Sequence, residues 1–324
     1  MTSGARSSMH QGEVAFLNGT IVPASEAKLS PSDRGFFCAD AVFDTLRTVN
    51  HRPYLLGEHI SRLQQSLAYV GIDVAMSAAE LAEVASDVAA RNLRHVHRED
   101  DVWVRIHVTR GVKERGAALS SLKPTVLITT ETLDFERLAS GYQRGIALIT
   151  PPFREIPSQC VDPRLKTVSR MHYNLAEQFV ARIDSAALPL MLDLDGNVAQ
   201  GTASNVFLVK DNALFTPPVE SALAGISRSV ALDIARALGI PVFEERLSLY
   251  MLATADEIFT TATSYCVMPV ASVNGARIGA KAPGPVTRRL LAAWSARIEH
   301  DIVGQAIARA SSERVSPAAY SASD

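Results

Sequence analysis

DGNVAQGTASNVFLV, residues Asp195 to Val209, opens on a turn pair and closes on the β-rich run NVFLV. Gln200-Gly201 sits where turn chemistry gives way to strand composition, on what reads as the rim of a strand entering a core. An amide there is ordinarily a solvated turn residue. Whether Gln200 faces something instead is decided by the rest of the chain.

At 324 residues the chain is long enough for one large or two medium domains. Hydrophobic content of 47% with 20% charged residues is that of a globular protein, and a formal net charge of -2 gives no reason to expect nucleic acid or an anionic membrane as partner. No apolar run reaches the length of a membrane span, and MTSGARSSMHQGE lacks the apolar stretch of a signal peptide. Cys38, Cys160 and Cys266 are too far apart in sequence for a metal-ligand pair or a disulfide framework. A cytoplasmic protein with free thiols is expected.

EVAFLNGTIVP reads as a hairpin with Asn18-Gly19 at its turn, and AVFDTLRTVNHRPYLL as a second β pair. In GEHISRLQQSLAYVG, Ile60, Leu63, Leu67 and Val70 share one helical face, and SAAELAEVASDVAARNL is a further amphipathic helix. DVWVRIHVTRG and PTVLITTETL are strands. This half, residues 1–132, is expected to be a smaller α+β domain with residues 1–12 loose. DFERLASGYQRG is polar and carries two glycines, so 133–142 is expected as a linker. Residues 143–324 form the second domain, with a helix from about Val168 packing through Val168, Met171, Leu175 and Phe179. ISRSVALDIARALG reads as a helix with Ser227 as N-cap and Gly239 as stop. The end, from about 305 to 324, is rich in Ala and Ser and expected to be loose.

Among the lysines Lys28, Lys113, Lys123, Lys166, Lys210 and Lys281, five sit beside turn or charged residues. Lys166, in DPRLKTVSRMHYNLA, lies between Leu165 and Val168 at the entrance of the expected helix. A desolvated lysine has a lowered pKa and can form imines or shuttle protons. In LAGISRS, Gly225 lets the backbone approach closely while Ile226 and Ser227 open a helix whose dipole favours an anion. Thr263 and Ser264 in TTATSYC follow a β segment and can donate as well. Arg62 lies beside the apolar face of its helix, suited to an ion pair or a phosphate clamp. There is no G-x-S-x-G elbow, no P-loop and no dinucleotide fingerprint, and His95 and His97 lie in a charged, solvated segment.

Taken in chain order, LSPSDRGFFCADAVFDTLRT, EHISRL, VTRGVKERG, DPRLKTVSRMHYNLA, DGNVAQGTASNVFLV, LAGISR and ADEIFTTATSYCVMPV resemble the class-IV aminotransferase family, the fold-type-IV pyridoxal-phosphate enzymes. The matching covers about Phe16 to Pro285. That family includes branched-chain and D-amino-acid aminotransferases, (R)-amine transaminases and aminodeoxychorismate lyases. The resemblance implies an α/β (α+β) fold of the D-amino-acid aminotransferase-like type: two domains with pyridoxal 5'-phosphate between them, a homodimer, and small-molecule amine and 2-oxo acid substrates.

It further implies that Lys166 holds the cofactor as a Schiff base and carries a proton between substrate Cα and cofactor C4′. Arg62, the backbone of Ile226, Ser227 and Thr263, with Ser264 beside it, would bind the phosphate, and Leu223 would pack on the ring. Gln200 falls where the family usually has a glutamate paired with the pyridine nitrogen. For a substrate carboxylate the candidates are Arg47 and Arg115, with Cys38 nearby in the family's pocket. Ala117 and Ala118 replace the histidine usual after the arginine of D-amino-acid enzymes, Cys38 replaces an aromatic residue common in branched-chain enzymes, and the DPRLK and GPVTRRLLAAW stretches are similar to (R)-amine transaminases. Beside transamination two alternatives stand: a lyase, and a cofactor-binding homologue whose chemistry has drifted because Gln200 carries no countercharge. If transamination is the native reaction, Gln200→Glu is expected to speed amine-to-cofactor transfer.

Overall fold

The computed structural model describes residues 12–113 and 115–315, and the side chains of 312–315 are left aside. The chain divides into two compact units: one runs to Leu133 and takes back Arg164–Met171, the other holds Asp134–Pro163 and continues from His172.

In the first unit, β1 (Val14–Leu17) and β2 (Thr20–Pro23) form the expected hairpin, with Asn18 at φ 49° and Gly19 at φ 94° in its turn. A short helix α1 (Arg34–Cys38) follows, capped by the Asp33 carboxylate on Gly35 N. Next come β3 (Ala41–Val49), β4 (Arg52–Pro53), helices α2 (Leu56–Val70) and α3 (Ala78–Asn92), and strands β5 (Val102–Thr109) and β6 (Thr125–Thr132). The strands form one antiparallel sheet in the order β2-β1-β6-β5-β3-β4. One face packs Leu46, Val104, Ile106 and Ile128 against Ile60, Leu63 and Leu67 of α2 and Leu81, Ala85 and Val88 of α3. Those helix positions recur every three or four residues, so each helix turns one stripe to the sheet. Ser77 and Glu80 close a capping box at the start of α3.

The second unit holds α4 (Phe135–Arg144), β7 (Ile146–Ile149), α5 (Met171–Ile183), β8 (Leu188–Leu192), β9 (Val198–Gly201), β10 (Asn205–Lys210), β11 (Ala213–Thr216), α6 (Ile226–Ala237), β12 (Val242–Glu244), α7 (Leu249–Ala253), β13 (Glu257–Ala262), β14 (Cys266–Val273), β15 (Ala276–Arg277), α8 (Pro285–Arg297) and α9 (Ile302–Val315). Its mixed sheet runs β12-β11-β10-β13-β14-β7-β8-β9, with β15 paired to β14. Strands β10 and β13 are almost wholly buried, the pattern of strands covered on both faces; β10 reads as a nearly continuous apolar run, while β13 buries Glu257, Thr260 and Thr261 among its apolar residues.

Several expectations are corrected. Residues 135–144, within the expected linker and just past it, form α4. Phe135, Leu138, Ala139 and Tyr142 make a buried stripe at helical spacing, and Asp134 caps Arg137 N at 2.9 Å. Helix α5 begins at Met171, not Val168, because Val168 N donates to Ala41 O at 3.2 Å in a strand-like pairing. Its buried positions are Ala176 and Val180, whereas Met171 and Leu175 are exposed. The N-cap of α6 is Gly225, so Ser227 stands inside the first turn. Residues 302–315 are the helix α9, while 1–11 and 316–324 lie outside the described residues. Among the described residues no helix is long and apolar enough to cross a membrane.

Candidate active site

In the first unit the functional side chains gather around β3. Val42, Asp44, Leu46 and Thr48 alternate onto one face, each with no exposed surface. An acid on that face needs partners, and α2 supplies them. His59 and Arg62, three residues apart, share a helix face. His59 Nδ1 lies 2.7 Å from Asp44 Oδ1, while Arg62 donates Nε to Oδ2 and Nη2 to Oδ1, both at 2.8 Å. Burial alone would raise the Asp44 carboxyl, but Arg62 and His59 outweigh it and hold it below the ordinary carboxylate range. Burial lowers His59 despite its bond to Asp44.

The segment carrying Lys166 runs alongside this strand. Phe43 N donates to Lys166 O at 3.0 Å, and Thr167 bridges Val42 in antiparallel fashion. Lys166 is thus fixed by strand pairing and not by a helix. Its Nζ stands 4.7 Å from the centre of the Phe43 ring, which Arg170 also approaches at 5.8 Å. Burial, with Arg62 and then Arg170, pushes the Lys166 ammonium down to about 7 against the opposing pull of Asp44. Near neutral pH such an amine is substantially unprotonated and nucleophilic.

In the second unit Gln200 sits on β9, 6% exposed. Its Oε1 accepts from Leu223 N at 2.9 Å, and its Nε2 donates to Glu155 Oε1 at 3.0 Å and to the Tyr173 hydroxyl at 2.8 Å. The solvated-turn reading of this residue is thereby excluded. Leu223 O accepts from Asn205 Nδ2 at 2.8 Å, and a Cβ on Gly225 would overlap Asn205 Oδ1, so the close approach requires glycine. Gly225 gives α6 no side-chain cap, leaving the first-turn N–H groups of Ile226 and Ser227 without that partner. On β13, facing Asn205, Thr261 Oγ1 is buried with no hydrogen-bond partner among the described residues. Thr263 and Ser264 follow in the turn after β13.

The model of the family described as Amino-transferase class IV matches residues 41–273. The chain belongs to the class IV aminotransferases. It is 35% identical over 280 residues to a putative branched-chain-amino-acid aminotransferase of Methanocaldococcus jannaschii, covering 85% of this chain and 93% of that one. It is 32% identical over 278 residues to a D-alanine aminotransferase of Bacillus licheniformis, covering 84% and 93%. Among solved structures, the branched-chain amino acid aminotransferase of Escherichia coli superposes with a TM-score of 0.78 at 27% identity, covering 89% of this chain and 94% of that one. A further branched-chain enzyme with the same TM-score was solved with pyridoxamine 5'-phosphate.

This aminotransferase is accordingly a pyridoxal-phosphate-dependent transaminase of the fold-type-IV class. Each unit carries groups whose chemistry suits part of the cofactor: the first an amine lowered to about 7, the second an uncapped helix N-terminus, a Thr261 hydroxyl with no partner among the described residues, and a polar cluster around Gln200. Lys166 and Arg62 are brought together in one unit, and Gln200 and Leu223 touch in the other. Arg47 is turned inward, donating Nε to Thr48 O at 2.9 Å and pairing with Asp101 at 3.5 Å, so it braces the first unit and offers no fork to a substrate. Arg115 and Cys38 are exposed.

Sequence reading missed Asp44, His59, Asn205, Tyr173 and Glu155. Asp44 carried a signal, an acid on the apolar face of an alternating strand. Glu155 carried none, because its place follows from a loop in which Glu155 N donates to Leu192 O at 2.9 Å.

Proposed function

We propose that the chain moves an amino group between an amino acid or (R)-amine and a 2-oxo acid, with Lys166 as the amine that holds the cofactor. Bound pyridoxal phosphate supplies an electron sink for the bonds at substrate Cα. Once the substrate amine has displaced it from the cofactor, the freed Lys166 Nζ would take the proton from substrate Cα and deliver it to cofactor C4′. Arg62, steadied by Asp44, anchors the phosphate with the Ile226 backbone, Ser227, Thr263 and Ser264. Leu223 covers the ring and Gln200 faces its nitrogen. Arg115 takes a substrate carboxylate, with Cys38 beside the substrate, and the enzyme works as a cytoplasmic homodimer.

The observation that carries this reading is the Lys166 amine, lowered to about 7 and held beside Phe43 by pairing to β3. Relatives named for branched-chain amino acids and for D-alanine support an amino-acid donor. Purified protein given pyridoxal phosphate should turn yellow, and borohydride should fix the cofactor to the Lys166 peptide and to no peptide of Lys166→Ala. A panel of L-amino acids, D-amino acids and (R)-1-phenylethylamine, without acceptor, should convert the spectrum to the pyridoxamine form for one class. Fixation on another lysine overturns the assignment.

A further inference from the structure

The Gln200 amide is not free to turn. Leu223 N–H requires an oxygen and the Glu155 carboxylate requires a donor, so the hydrogen-bond network settles which end is which. Both Nε2 hydrogens are committed, one to Glu155 and one to Tyr173, and the Tyr173 hydroxyl in turn donates a hydrogen bond to the Glu155 carboxylate, 2.9 and 3.0 Å from its two oxygens. Toward any further group Gln200 offers only the second lone pair of Oε1. It can accept from a protonated ring nitrogen and cannot donate to an unprotonated one.

The charge that such a nitrogen needs is one residue away. The Glu155 side chain is 10% exposed, and among the described residues no lysine or arginine pairs with it. His172 Nε2 stands 3.5 Å from Oε2, an ion pair only when the imidazole is protonated. A buried carboxylate in these surroundings is costly unless a cation is supplied. Its bond to the amide N–H also polarises the amide, making Oε1 a stronger acceptor.

We infer that Glu155 is the displaced countercharge of the cofactor's ring nitrogen, acting through Gln200 as a positioning residue, with Tyr173 holding the pair in register. The inference rests on the placement of Gln200 at that nitrogen proposed above. It reverses the expected effect of Gln200→Glu, which sets a second carboxylate against Glu155. Gln200 thus carries no drift in chemistry, because the carboxylate has moved.

The test uses holoenzyme reconstituted with pyridoxal phosphate labelled with 15N in the ring, read by nitrogen NMR, together with cofactor affinity. The wild type should report a protonated nitrogen. Glu155→Gln should move the signal toward the unprotonated form and weaken cofactor binding about tenfold, the scale of one hydrogen bond to a charged partner. Gln200→Glu alone should also weaken binding, and the double exchange Glu155→Gln with Gln200→Glu should restore both readouts. A nitrogen signal in Glu155→Gln unchanged from wild type overturns the inference, as does an unprotonated wild-type ring. If Glu155→Gln does not fold, the double exchange is compared with Gln200→Glu: recovery supports the relay and identical behaviour overturns it. Borohydride fixation on Lys166 in the wild type separates the two levels. Its failure overturns the cofactor assignment, while fixation with an indifferent nitrogen overturns the relay alone.

Discussion

Asp44 has no exposed surface, yet four donors surround its carboxylate: Thr45 N, His59 and two nitrogens of Arg62. Removing that charge while leaving the guanidinium in place strands a mostly buried cation. Asp44→Asn should therefore destabilise the chain by about 3–5 kcal/mol in urea unfolding. It also withdraws the carboxylate charge that raises the Lys166 amine, so the proton affinity of that amine falls from its already lowered position of about 7. Acetylation of Lys166 in the variant apoprotein, followed against pH, should reach half-maximal rate at a lower pH than in the wild type. An unchanged profile would show that Asp44 serves Arg62 alone.

At the scale of elements, α6 shows what patterning made legible and what it did not. Its length and its stop at Gly239 (φ 69°) followed from periodicity and glycine chemistry. Its cap did not, because Gly225 stands at the cap for the sake of Asn205, a residue of another strand. The same cause misplaced the start of α5, where pairing with Ala41 holds Val168 extended against its local helical pattern. Composition likewise made α4 look like a linker, although its apolar residues fall at helical spacing. The Asn205 contact yields a prediction. Gly225→Ala forces the Asn205 amide away from Leu223 O and displaces the first turn of α6. It should cost about 1–3 kcal/mol of stability and weaken cofactor binding. Urea midpoints and cofactor titration check this, and a variant with wild-type values for both would remove α6 from the anion seat.

At the scale of the whole molecule, the family was legible because motifs keep their order along the chain, and the same order singles out Lys166 as the amine proposed to hold the cofactor. The Glu155 carboxylate was not, since nothing local ties a loop residue to Gln200. Nor were the buried titratable groups of the first unit, and these set its response to acid. Burial pushes His107 down to about 4, with Arg105 adding to the effect, and burial also lowers His59. His107 stacks on Phe43 at 5.5 Å, and its Nδ1 is buried with no hydrogen-bond partner among the described residues. In the unfolded chain both imidazoles bind a proton near about 6.5. Below that pH the unfolded state holds more protons than the folded one, so stability falls as pH falls. For His107 the loss runs from about 6.5 down to about 4 and then stops, because both states are protonated. Discounted for its partial exposure, it amounts to roughly 1–3 kcal/mol. Asp44, held low in the folded state, adds its loss only in stronger acid. Urea midpoints taken at intervals across this window should decline steadily, and His107→Leu, which keeps an apolar contact for Phe43, should flatten the decline. A slope untouched by that substitution would assign the acid sensitivity to His59 and the groups around it.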